Sequence, residues 1–231
     1  MNRVLQAARL HYIHALPTLA MQWLIVGLAF AINLAIWHLT PAGAEGGGFT
    51  GGILALYITM MVGYVQAVTL LLPLAMGMSL SRRSFYLGTA LVALVEALVY
   101  GTVLSVLTAV EDATNGWGAG LGFWAPGIMD VDNAALQVLA SGTPVLAFAF
   151  LGMGMGVVSK RWGPSGIWIL SLGSLVLFGG LAILITWRDE WRAIGTWLAD
   201  QSVTTLAIGL PAALAVAVAA ASFAGIRRVV P

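Results

Sequence analysis

Glu96 stands near the middle of the unbroken apolar run 85–110. An ionised acid at the centre of a hydrocarbon layer costs about 2.5–3.5 kcal/mol on insertion scales, so such a group is protonated, paired or turned towards water. Gln66 falls at a comparable depth in the preceding run, 53–74, which a short connection makes antiparallel to the next. A Glu96–Gln66 hydrogen bond, worth about 1–2 kcal/mol, is the structural expectation. A polar point on a path through the protein or at a subunit seam is the functional one. A proton-coupling carboxylate is the third, although no second buried acid or histidine is expected to complete a relay.

The remaining inventory excludes most other chemistry, and no catalytic residue is expected. His11, His14 and His38 lie before or at the end of the first apolar run. None of them can face Ser171 or Ser174 as a Ser–His pair requires. His11 and His14 have no carboxylate or Cys nearby, so no metal site is expected. The chain contains no Cys, which removes disulfide, thiolate and iron–sulfur chemistry. Its one lysine, Lys160, is not preceded by a phosphate-binding glycine loop. The stretch Gly116-Trp117-Gly118-Ala119-Gly120-Leu121-Gly122 has neither a following lysine nor a preceding strand. It reads as a flexible outer loop, and the segment 111–135 around it is too short to house a nucleotide-binding domain.

The elements that must position these residues are membrane helices. Of 231 residues, 60% are hydrophobic and 8% charged, with mean hydropathy +0.96; a soluble domain averages about 45–50% apolar and about 25% charged residues. Ten basic against nine acidic residues leave no field for nucleic acid. Six runs, 18–39, 53–74, 85–110, 136–158, 167–187 and 204–224, each supply the roughly 20 apolar residues that a crossing needs. They lack the alternation of barrel strands. The first is read as retained in the membrane and not as a cleaved leader.

With both termini cytoplasmic, Arg3, Arg9, Arg82, Arg83, Lys160, Arg161, Arg227 and Arg228 fall inside, and only Arg188 and Arg192 outside. Glu45, Glu111, Asp112, Asp130, Asp132, Asp189, Glu190 and Asp200 all fall outside. The expectation is an all-α integral membrane protein of six transmembrane helices. Residues 1–17 form an amphipathic interfacial elbow helix ended by Pro17, and 18–231 form the six-helix body. Trp187, Trp191, Ile194 and Leu198 share one helical face, which predicts a short outer amphipathic helix. The spacing of Gly152 and Gly156 predicts a close helix contact within the chain.

The inner turn joins the second and third runs. Met76, Met78, Leu80 and Phe85 offer adaptable apolar surface there, and Arg82 and Arg83 offer fixed charge with planar donors. The segment Ser81-Arg82-Arg83-Ser84-Phe85-Tyr86-Leu87-Gly88 resembles the S-R-R-x-F/Y-x-x-G element of the type-2 ABC exporter permeases. The residues 70–78 before it are apolar where many members carry charged ones. The resemblance implies a multi-pass permease of the inner or plasma membrane that dimerises with a second permease subunit, the same or different. It implies docking on separate ABC ATPase subunits, which would bind ATP and magnesium, through a turn at 75–84 with Met78, Leu80, Ser81, Arg82, Arg83 and Ser84. Two other readings remain: an ATP-independent secondary carrier that uses Glu96, and a membrane scaffold or sensor that transports nothing.

Overall fold

The computed structural model describes residues 3–12, 15–40, 48–131 and 133–227. His14, Glu45, Asp132 and Arg228 lie outside the described residues. The described chain is helical almost throughout: α1 (Arg3–Tyr12), α2 (Ala15–Leu39), α3 (Leu54–Gln66), α4 (Leu72–Gly77), α5 (Arg82–Ala113), α6 (Ala134–Trp187), α7 (Trp191–Asp200) and α8 (Leu210–Ile226). Five helical stretches are long and apolar enough to cross a membrane: Leu16–Leu39, Leu54–Gly77, Arg82–Ala113, Ala134–Trp187 and Thr205–Ile226. Where the sequence predicts separate fourth and fifth runs, α6 is one element of 54 residues, interrupted at Gly163. Gly163 has φ 64° and ψ −155°, a region essentially closed to residues with a Cβ. Pro164, with no N–H to donate, follows it.

Two π-turns share one cause. Ala67–Leu71 joins α3 to α4 and Thr205–Gly209 leads into α8, and each ends two residues before a proline, Pro73 or Pro211. The proline cannot donate to the preceding turn and its ring pushes that turn's carbonyl aside, so the helix accommodates an extra residue. The Thr143 hydroxyl lies 3.2 Å from the Ala207 carbonyl, one of those that Pro211 cannot serve. Pro144 leaves α6 helical, so the break in that element is at Gly163.

The bundle is built around the first half of α6, which meets α3, α5 and α8. A Cβ on Gly152 would collide with the Met61 carbonyl and the Tyr64 side chain; one on Gly156 would lie 2.7 Å from Val68 Cβ. On the other side, a Cβ on Gly142 would lie 2.6 Å from the Ala97 carbonyl of α5. The pair Gly152 and Gly156 therefore makes the contact within the chain that its spacing predicts. α1 docks on α5, where Gly88 admits its backbone: a Cβ there would lie 2.7 Å from Ala7 Cβ. The amphipathic α7 is present, and none of its residues is buried.

The bundle ends differ in chemistry. One end gathers α1, the 78–81 turn and the end of α8, where Arg82 Nη1 donates to the Arg227 carbonyl at 3.4 Å. The other carries Glu111, Asp112 and a parallel pairing of β1 (Gly48–Phe49) with β2 (Leu121–Gly122). Gly152→Val is expected to destabilise the protein by about 1–3 kcal/mol through overpacking. Gly173→Val, at a site with nothing within 4 Å of the added Cβ, should leave the melting temperature in detergent nearly unchanged.

Candidate functional site

A cavity of about 280 Å³ lies among α1, α2, α3 with its π-turn, and α5. Its walls mix apolar side chains, among them Leu19, Leu70 and Leu71, with Glu96, Gln66, Gln22 and His11. The Tyr64 hydroxyl donates to Glu96 Oε2 at 2.7 Å. This corrects the predicted Glu96–Gln66 bond. Each helical residue turns about 100°, so Gln66 points some 200° away from Tyr64 and cannot share its partner. Gln66 is exposed at the cavity and Glu96 is half-buried. The two predicted polar residues therefore line one cavity without touching.

Two further residues that spacing alone does not flag complete the polar layer. Gln22 is 6% exposed and accepts from the Tyr100 hydroxyl, and the Tyr100 ring stacks on Trp23 at 5.5 Å. The Gln22 amide nitrogen lies beside Gly63. A glutamine within the first apolar run is a visible signal; its tyrosine partner, 78 positions away, is not.

His11 reaches into this region from α1. Its Nε2 lies 3.0 Å from Thr89 Oγ1, and Thr89 donates its own hydrogen to the Phe85 carbonyl. With that hydrogen on the carbonyl, Thr89 accepts from Nε2 and the lone pair is on Nδ1; with it turned to the ring, Thr89 donates to Nε2 instead. Burial pushes the ring down to about 4 from its ordinary value of 6.5.

The inner turn is tighter than expected. It spans residues 78–81, with no separate helix between α4 and α5. Ser79 takes φ 61°, and Leu80 N–H returns to the Ala75 carbonyl at 3.0 Å, a Schellman closure. Leu80 is 8% exposed and belongs to the core, which corrects its assignment to a docking surface. Ser81 caps α5 by accepting from Ser84 N–H at 3.0 Å, and its hydroxyl donates to Ser84 Oγ at 2.9 Å. Arg82 is half-buried against α8, while Met78, at 58%, and Arg83 are exposed. The turn presents Met78 and Arg83 outward together with the small side chains of Ser79 and Ser81.

At the opposite end the glycine-rich stretch is built in, contrary to the flexible loop expected. Glu111, 5% exposed in the last turn of α5, accepts from Phe123 N–H at 3.0 Å, Trp124 N–H at 3.3 Å and Trp117 Nε1 at 3.1 Å. Trp117, Phe123 and Trp124 each stand 5.2 Å from the Phe30 ring of α2. One carboxylate therefore folds the outer segment back onto the bundle, where its aromatics find cover.

No protein-family profile, curated protein or solved structure matches this chain.

Glu111→Ala is expected to leave two buried N–H groups without acceptors, at about 1–3 kcal/mol each. Hydrogen exchange at Phe123 and Trp124 should accelerate; unchanged protection would show that the aromatics alone hold the segment. His11 gives a pH dependence. An undocked His11 takes up its proton near pH 6.5 and the docked ring near pH 4, so acid favours undocking across that window, by up to about 3 kcal/mol. Stability should be flat above pH 6.5 and fall between pH 6.5 and 4, and His11→Gln should flatten that fall.

Proposed function

We propose that this chain is the membrane-embedded permease subunit of an ATP-driven exporter, working as a dimer in the inner or plasma membrane on separate ABC ATPase subunits. α6 is counted as two crossings turned at Gly163, giving six in all, with both termini cytoplasmic and α1 as an elbow at the inner interface. The basic residues gathered at one end of the bundle and the carboxylates at the other support that orientation. ATP and magnesium belong to the ATPase subunits, since the chain has no phosphate-binding lysine loop of its own.

The observation that carries the reading is the stiffness of the inner turn. Leu80 anchors it, Ser81 and Ser84 close it, and it joins α4, the end of the Leu54–Gly77 stretch that bears Tyr64, to α5, which bears Glu96. A push on Met78 and Arg83 is then transmitted as a rigid tilt of two cavity walls instead of being absorbed by a loose loop. Cargo enters and leaves as those walls part.

The test is co-expression with ABC ATPases of the same genome. One should co-purify with the wild-type chain, and Met78→Asp with Arg83→Glu should lose it while membrane insertion is unchanged. Co-purification undiminished by both changes would remove the docking role. His11 and the half-buried Glu96 in one cavity favour a second reading, a carrier without ATPase. Flux that follows a pH gradient, needs no ATPase and disappears in Glu96→Gln would establish it.

A further inference from the structure

The cavity beside Glu96 is rich in acceptors and carries no Lys or Arg among its lining residues. Glu96 Oε2 holds the Tyr64 hydroxyl, and among the described residues Oε1 has no donor. In the tautomer that donates from Nε2, His11 presents the lone pair of Nδ1 and no charge near neutral pH. Opposite these groups run the apolar side chains of Leu19, Leu70 and Leu71. The walls therefore offer a carboxyl group that a bound cation would hold ionised, and an apolar flank, with no Lys or Arg to compete for the acid.

We infer that this cavity is a binding site for a small lipophilic cation, an ammonium or amidinium group with an apolar arm. Its N–H groups would take Glu96 Oε1, left open by the Tyr64 bond, and His11 Nδ1 in the tautomer that donates from Nε2 to Thr89. Its charge would lie beside the Tyr64 ring, whose face attracts cations. Its arm would cover the leucine wall. At about 280 Å³ the cavity suits a headgroup with one ring or a short chain, at the lower edge of the sizes usual for ligand sites. Only a cation would hold the carboxyl ionised and gain a charged hydrogen bond from it; a neutral analogue gains none, and an anion would force the acid to stay protonated. As a statement about cargo, this rests on the exporter reading; as a statement about binding, it rests on the cavity alone.

Three matched probes test it on the isolated full chain in neutral maltoside micelles, by calorimetry: benzylammonium, benzyl alcohol and benzoate. The ammonium should bind at least tenfold more tightly than the alcohol, and the carboxylate should not bind. Glu96→Gln should bring the ammonium down to the alcohol's affinity while the alcohol still binds, which shows the cavity intact. Ala67→Phe, which fills the cavity, should abolish binding of both. Equal affinity of ammonium and alcohol for the wild-type chain would overturn the inference without recourse to any variant, as would a preference that survives Glu96→Gln. Phosphatidylethanolamine added to the micelles separates two sources of the ammonium: displacement of the probe assigns the site to a lipid headgroup, and no displacement to a free amphiphile. The measurement involves no ATPase, so it can fail while docking succeeds, and the reverse.

Discussion

Close approach of helix backbones along α6 is the constraint on which the structure depends. In a hydrocarbon layer lipid tails are as apolar as leucine, so helices gain little from hydrophobic burial and must gain from dispersion at short range. Gly142, Gly152 and Gly156 make that range possible, because each leaves space that a neighbouring backbone or side chain occupies. α3 and α5 are thereby held on two sides of one helix, and the cavity opens beside them. Tyr64 and Glu96 meet because α6 sets the spacing of the helices that carry them.

Most polar groups inside this bundle follow a second rule, that a partner must come from the chain itself. The buried Tyr57 hydroxyl and the Trp37 and Trp124 indole N–H groups are exceptions among the described residues. The same rule explains a hydroxyl of Thr143 beside a carbonyl that Pro211 leaves without its donor. It also explains why Tyr100 and Gln22, far apart in sequence, bond to each other. The Glu96 carboxylate obeys it with one oxygen, Oε2, which accepts from Tyr64.

Much of this was legible in the sequence, and the rest fails for identifiable reasons. Apolar length located the helical stretches, because crossing a membrane is a requirement on length and composition that single residues seldom disguise. The glycine spacing located the α6 contact, since small residues permit what large ones forbid. Glu96 was visible as an acid where none is cheap. Its partner was not: Gln66 matched in depth, but depth does not fix the angle around a helix. Leu80 was misassigned because burial in a tight turn depends on where the chain returns, and the Schellman closure turns it inwards. The 116–122 stretch reads as flexible from glycine content alone. What orders it is a carboxylate assigned to an outer loop and aromatics from a segment beyond it.

The Glu111 tie has a mechanical consequence. It fastens the far end of α5 to a cap that also grips Phe30 of α2 and is paired with the strand just before α3. Three long helices are thus held together at that extremity. Any tilt between these helices would take that tie as its fulcrum, and a push at the 78–81 turn would act at the long end of the lever.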